Sequence, residues 1–329
     1  MKILFVWTGV TSYMADCWRA LQRQSGIELK VVVEQVASGS DFNAAHVLRD
    51  LDCVLTTADG FDVSSLRAFR PDVVFAVGWH SRIVRAVVSE PDWKDIPKIC
   101  CFDLPWRWSL RCFAAKFVLG AFLRRYSAAY VPGRACERYA KWLGFRKVYK
   151  GLFSIDVSRF GTGAAADRKG FLYVGRFSEE KRLDLIFAAY ARYRESGGSW
   201  TLDLYGSGNA IPDLPSAADG LSVHPFVQAD EVPRLYAGHA CLLLASAFDP
   251  WPLVALEARA AGCEVIQSDR CGNRLELDTR VVRYGDAGAM ARKMLEVERA
   301  GCAGTPGRVE NWGCEAWTKR TIGICEEVR

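Results

Sequence analysis

The sequence has no CxxC pair and no Cys/His cluster at zinc-ligand spacing, although it holds 12 cysteines. That excludes a zinc module. Cys53, Cys100 and Cys241 lie inside apolar, strand-like runs, where a free thiol acts as a small hydrophobe. Thiols used in this way fit a reducing cytosol better than a disulfide-stapled secreted domain. No uninterrupted apolar run reaches about 18 residues, so no spanning helix is expected. The start, "MKILFVWTG", enters a strand pattern directly and lacks the apolar region and cleavage site of a secretory leader, so a cytoplasmic chain is expected. A GxSxG nucleophile elbow, an HExxH motif and paired metal carboxylates are missing as well. So are low-complexity segments and short-period repeats. What remains, 50% hydrophobic and 25% charged over 329 residues, is ordinary globular composition. The length suggests about two domains, with a core that needs no metal or disulfide staple.

Charge is uneven. Residues 1–150 carry 22 Lys and Arg against 14 Asp and Glu, while the remainder carries 21 against 24. One reading is a solvated surface with incidental asymmetry. The other is a first half that faces an anionic partner, such as a membrane surface or a polyanionic acceptor. Nothing points to nucleic acid.

Short apolar runs alternate with helix-length segments. "KILFVW" (2–7), "ELKVVVE" (28–34), "CVLTT" (53–57), "DVVFAVG" (72–78), "KICCF" (98–102) and "AAYVPG" (128–133) read as strands apolar on both faces. That pattern argues for a parallel sheet covered on both sides by helices. Residues 151–169, rich in glycine, small and polar residues, read as a linker. The alternation restarts with "GFLYVG" (170–175), a helix from about Glu180, "WTLDLYGSG" (200–208), "LSVHPFV" (221–227), "ACLLLAS" (240–246), "EVIQS" (264–268) and "RVVRYG" (280–285). Helices near 286–300 and 313–326 close the chain. Two Rossmann-like, doubly wound domains are expected, over 1–150 and 170–312, with ligands bound in the cleft at the carboxyl ends of the strands. The final segment, 313–329, is expected to cross back to the first domain.

Two stretches carry candidate chemistry. In "GFLYVGRFSEEKRLD" (170–184), Arg176 and Lys181 follow a strand and open a helix, where cations beside free N–H groups make an anion site. The competing reading is a capped surface helix with incidental cations. In "SAFDPWPLVALEARAAG" (246–262), Asp249 precedes a helix and Glu257 lies within it among apolar residues. An unpartnered buried carboxylate is costly. Eight residues at helical rise separate the two acids by up to about 12 Å, near the span of a nucleotide sugar. Carboxylates accept hydrogen bonds from paired sugar hydroxyls, and the first-turn amides of residues 252–254 would meet a phosphate between them. The competing readings are an N-cap for Asp249 and, for Glu257, a core-edge residue paired with Arg259 or Arg274.

"GRFSEEK", "LYGSG", "VHPFV…DEVPRLYAGHACLLLAS" and "DPWPLVALEARAAGCEVI" occur in that order. Together they resemble the retaining glycosyltransferases of group 1, family four, which have the two-Rossmann GT-B fold. The likeness covers most of 165–275 and is weaker over 1–150, resting there on strand rhythm with "RPDVVFAVGWH", "YVPG" and "YAKWLGF". The resemblance implies that Arg176 and Lys181 clamp the donor diphosphate, that Glu257 binds the donor ribose, and that Asp249 contacts the donor sugar. It implies that backbone amides of "PWPLV", with Pro252, Leu253 and Val254, meet the phosphate, that Phe226 lines the donor side, and that Gly9 lets backbone approach the donor. It further implies a hexosyl transfer from a nucleotide-diphosphate sugar to a hydroxyl acceptor in glycan, lipopolysaccharide or glycolipid assembly, with no cofactor beyond the donor and no metal. The sequence departs from the family pattern at Asp249, where the first acid is usually Glu, at Pro252, where a glycine is usual, and in an abbreviated stretch after Gly272. The family's histidine near the fourth strand is replaced by Phe75 and Val77, with His80 the nearest.

His80 is therefore a candidate acceptor-side residue, against a plain helix-start histidine. Asp103, after a strand and before "LPWRWS", is a candidate to enter the cleft, against a helix cap. The stretch 106–125, "WRWSLRCFAAKFVLGAFLRR", mixes aromatic and aliphatic residues with Arg and Lys. It reads either as a helix lying in a membrane interface or as a packed helix with basic ends. Two other functions fit the same motifs: a nucleotide-sugar epimerase of similar shape, and a non-catalytic glycan- or nucleotide-binding protein. A dinucleotide oxidoreductase is disfavoured, since the first turn, "TGVTSY", lacks GxGxxG spacing.

Overall fold

A computed structural model of the chain describes residues 1–35, 44–160, 168–210, 219–302, 304 and 306–329. It divides into two units, one of Met1–Asp156 with Trp312–Arg329, the other of Val157–Asn311.

In the first unit, β1 (Lys2–Thr8), β2 (Glu28–Glu34), β3 (Cys53–Thr56), β4 (Val73–Val77), β5 (Lys98–Cys101), β6 (Ala128–Val131) and β7 (Val148–Lys150) form one sheet. Their order is β3-β2-β1-β4-β5-β6-β7, and each neighbouring pair is parallel. The connections carry α1 (Ser12–Gln22), α2 (Ala44–Leu48), α3 (Arg82–Val88), α4 (Leu110–Leu123) and α5 (Arg134–Leu143). Ile3 through Val6 are wholly buried, as a parallel strand covered on both faces requires. Burial of each such side chain contributes about 1.5–3 kcal/mol. Phe5 and Phe75 are register partners on β1 and β4, with rings stacked 4.7 Å apart. Ser81 and Ser109 start α3 and α4 by accepting from the N–H groups of Val84 and Cys112.

In the second unit, β8 (Phe171–Val174), β9 (Leu202–Tyr205), β10 (Leu221–His224), β11 (Cys241–Leu244), β12 (Glu264–Ser268) and β13 (Arg280–Val282) run in the order β10-β9-β8-β11-β12-β13. These pairs too are parallel. The helices are α6 (Leu183–Glu195), α7 (Val232–Gly238), α8 (Leu253–Ala260) and α9 (Ala287–Ala300). The strand order turns back on itself between β1 and β4 in one unit and between β8 and β11 in the other. Such reversals place a crevice at the carboxyl ends of the two central strands.

The last helix, α10 (Cys314–Val328), belongs to the first unit. Trp317 is fully buried there, lies 5.9 Å from the Phe5 ring, and donates its indole N–H to the Leu152 carbonyl at 2.7 Å. The expected linker, 151–169, is not uniform. Residues 151–156 go with the first unit, Leu152 and Ile155 being buried. Val157–Phe160 form a 3-10 turn of the second unit, with the Phe160 ring against Tyr236 at 6.0 Å. Residues 161–167 of the expected linker lie outside the described residues. All twelve cysteines are free thiols. Among the described residues no helix is long and apolar enough to cross a membrane.

Candidate active site

The loops that follow β8 and β11 meet at the second unit's strand reversal. After β8, Gly175 turns at φ +155 and the Phe177 N–H donates to the Ser207 carbonyl at 2.8 Å. The glycines of "YGSG" make this approach possible. A Cβ on Gly206 would lie 1.9 Å from the Gly175 carbonyl oxygen, and one on Gly208 2.1 Å from that of Phe177. The helix expected from about Glu180 begins later. Glu179–Lys181 form a 3-10 turn, Arg182 is left-handed at φ +53, and α6 starts at Leu183. The turn is held from outside itself: the Ala247 N–H, after β11, donates to the Glu180 carbonyl at 2.7 Å.

Lys181 reaches across to Asp249, with Nζ 2.5 Å from Oδ2. Asp249 is 7% exposed. Its second carboxylate oxygen accepts from the Trp251 N–H at 3.3 Å, and its carbonyl accepts from the Gly272 N–H at 2.8 Å. Asp249 is thus no cap of α8. It also precedes α8 by four residues, so Asp249 and Glu257 do not share one helix and the rise-based spacing between them does not apply. A Cβ on Gly272 would stand 1.8 Å from the Pro250 carbonyl oxygen, so the loop after β12 needs glycine there. Arg176, by contrast, is a solvent-facing cation: its side chain is 78% exposed and pairs with Glu180 at 3.4 Å.

No side chain caps α8, which leaves its first-turn amides for another acceptor. Those donors belong to Leu253 and Val254. Pro252 has no amide hydrogen and offers only its carbonyl, which accepts from Asn273 Nδ2 at 2.9 Å. The expectation that residue 252 donates to a phosphate is corrected accordingly.

Glu257 is half-buried on α8. Its partner is neither Arg259, which donates to the Cys263 carbonyl, nor Arg274, which donates to that of Cys271. The buried Tyr236 hydroxyl of α7 donates to Glu257 Oε2 at 3.0 Å. Burial lifts the Glu257 carboxyl to about 6, against the opposing pull of the Tyr236 hydroxyl and the Arg159 charge. Burial, and then the neighbouring carboxylate, holds the Tyr236 phenol well above its ordinary range. Tyr236 and Asn273 were missed by sequence reasoning. No spacing ties either residue to the acids, because α7 and the loop after β12 reach them only through the tertiary fold. Phe226 follows β10, the edge strand two places from β8, and the residue is 56% exposed.

The first-unit candidates sit on that unit's own sheet. Gly9 ends β1 in a left-handed conformation, φ +72, and a Cβ there would meet no atom within 4 Å. His80, after β4, is exposed, lies 5.6 Å from the Trp79 ring and precedes the Ser81 cap. Asp103 follows β5, is half-buried, and its carbonyl accepts from the Cys136 thiol at 3.2 Å. Gly9 and His80 therefore lie beside the strands that flank the first unit's reversal, and Asp103 lies one strand further out. Among the described residues no three His, Cys, Asp or Glu side chains gather as a metal site.

Residues 168–299 match the family described as Glycosyl transferases group 1. They form a group 1 glycosyltransferase domain. A stretch of 138 residues is 29% identical to an uncharacterized glycosyltransferase of Methanocaldococcus jannaschii, covering 37% of this chain and 35% of the relative. The match thus spans about a third of that relative's length. Solved structures align over nearly the whole chain. The lipopolysaccharide outer core galactosyltransferase WaaB superposes with TM-score 0.73 at 16% identity, covering 99% of each chain. Anabaena HepE, solved with UDP and glucose, superposes with TM-score 0.72 at 15% identity, covering 99% of this chain and 100% of that one. At such identities the likeness is one of fold, and the fold is GT-B. The glycosyltransferase domain contains both loops that meet through Lys181 and Asp249, and both ends of the Tyr236–Glu257 hydrogen bond.

Proposed function

We propose that the chain is a retaining glycosyltransferase that moves a sugar from a nucleotide-diphosphate donor to a hydroxyl acceptor, in the assembly of a glycan or glycolipid. The observation that carries this reading is the Lys181–Asp249 pair between the loops after β8 and β11, beside an uncapped α8. A cation, backbone donors and a carboxylate are what a sugar diphosphate asks for: the first two for phosphate oxygens, the third for sugar hydroxyls. In the reaction the bond from the anomeric carbon to the diphosphate breaks and negative charge grows on the leaving group. Lys181, Arg176 and the amides of Leu253 and Val254 offset that charge. Glu257 takes the ribose hydroxyls and Asp249 those of the transferred sugar. With protein cations in this role, no metal is required. In the first unit, Gly9 is the residue proposed to let backbone approach the donor, and His80 and Asp103 are those proposed for the acceptor side. HepE, whose structure holds UDP and glucose, and WaaB, named as a galactosyltransferase, support a hexosyl nucleotide as donor.

The test is a screen of UDP-, GDP-, dTDP- and ADP-sugars for release of nucleoside diphosphate, run with and without EDTA. One donor is expected to be turned over equally in both, and Lys181→Ala and Arg176→Ala are each expected to lower turnover on the order of 100-fold with the fold intact. Near-normal rates in both variants remove the phosphate clamp. Loss of activity in EDTA, restored by magnesium, overturns the metal-free part. An altered sugar formed from donor alone makes the enzyme an epimerase.

A further inference from the structure

Helix α4 of the first unit has two apolar faces, and only one of them lies against the unit's core; on the other, Phe113 meets the Trp142 ring at 5.1 Å. Cys112, Ala115, Leu119 and Phe122 form the inner stripe and lie against the first unit's core. Leu110, Phe113, Ala114, Phe117, Val118 and Ala121 recur at i, i+3, i+4, i+7, i+8 and i+11, a second stripe on the opposite side of the helix. All six are exposed, Leu110 at 90%, Phe117 at 71% and Val118 at 77%. Trp108, just before the helix, is 94% exposed. At about 100° per residue, Arg111 and Lys116 fall on the two borders between the stripes. Arg107 precedes the helix, Arg124 and Arg125 end it, and residues 104–126 contain no acid and no Asn or Gln. The Lys116 ammonium lies 4.9 Å from the Trp142 ring centroid.

We infer that this face of α4, with Trp108, is a docking surface for an anionic lipid bilayer. An exposed apolar stripe of this size on a folded unit marks an interaction site. A sugar is a poor occupant, since the stripe, though it includes Phe113 and Phe117, lacks the carboxylates and amides that bind hydroxyls. Phospholipid acyl chains accept Leu110, Phe117 and Val118, an indole suits the headgroup level, and five cations without a single acid match anionic headgroups. The helix would lie in the plane of the interface, over about 21 Å of its length. The inference is independent of the sugar-transfer reading, since it uses no residue of the second unit.

Flotation with vesicles decides it. The protein is expected to float with vesicles of phosphatidylcholine containing about 30% phosphatidylglycerol at roughly 0.1 M salt, and at least about tenfold less with phosphatidylcholine alone or at about 0.5 M salt. Trp108→Ala with Phe117→Ser is expected to lower partitioning by about tenfold or more, and Arg111→Glu by roughly fivefold. These side chains are exposed, so the circular dichroism and unfolding temperature should stay unchanged. Failure to float with the anionic vesicles overturns the inference, as does flotation that the variants leave intact. So does sedimentation showing that the Trp108/Phe117 variant merely splits a dimer, which would assign the face to a second copy.

Discussion

At the residue scale, the question is how a carboxylate lives among Val254, Ala255, Leu256 and Ala258. Glu257 is half-buried, so its charge loses solvation, and one hydroxyl, that of Tyr236, compensates in part. The result is a carboxyl that titrates near 6 rather than 4.5. Because the folded value lies above the unfolded one, the native state holds the proton more tightly. Protonated Glu257 therefore favours the fold, and that contribution fades as pH rises from about 4.5 to about 6, by at most about 2 kcal/mol. Binding runs the other way. If Glu257 takes the ribose as proposed, its ionised form is the acceptor those hydroxyls need, and affinity for nucleoside diphosphate should rise as pH climbs through about 6. Calorimetric titration between about pH 5 and pH 8 should show this rise, and Glu257→Gln should make it shallower while binding weakly throughout. Equal pH slopes in the wild type and in Glu257→Gln remove Glu257 from the site. The terminal phosphate of the nucleoside diphosphate titrates in the same range, so the Glu257 contribution is read as the difference between the two proteins.

At the element scale, the site is a junction of loops, and its glycines hold the junction. Gly272→Ala would force the loop after β12 away from Pro250. The variant should lose about 1–3 kcal/mol of stability in urea unfolding and also bind nucleotide more weakly, because Asp249 is anchored by the Gly272 N–H. Gly238→Ala, at the end of α7 with nothing within 4 Å of the added methyl, should stay within about 0.5 kcal/mol. Equal losses in the two would mean that the Pro250 contact is not the constraint. The same distinction explains what could be read from sequence. Strands such as "KILFVW" and "ACLLLAS" were legible because a strand buried on both faces is a continuous apolar run. β7, three partly exposed residues at the sheet edge, carries no such run and was missed. "SEEK" reads as a first helical turn on dipole grounds, yet Ala247 and Asp249 hold it as a 3-10 turn by contacts some 68 residues away. The acids and cations were visible as chemistry. The hydroxyl opposite Glu257 was not, because only the packing of α7 on α8 brings Tyr236 there.

At the scale of the whole molecule, each unit has its own sheet and its own buried cluster. The chain returns to the first unit at its end, and the final helix is part of that unit's core rather than an appendage. Trp317 carries the argument, since its ring lies against Phe5 and its N–H fixes the Leu152 carbonyl. Trp317→Ala should remove about 3–5 kcal/mol from the first unit. Nucleoside diphosphate at about 100 times its dissociation constant should add about 2.7 kcal/mol to the second. Scanning calorimetry should therefore resolve two transitions, one lowered by the mutation and the other raised by the ligand. The first unit also carries the excess of basic residues, so high salt should move its transition more than that of the second. If a single transition responds to both the mutation and the ligand, the units unfold together, and stability measured at Trp317 then reports on the nucleotide site as well. If the ligand instead raises the transition that Trp317→Ala lowers, the nucleotide sits on the first unit, and the assignment of Lys181, Asp249 and Glu257 falls with it.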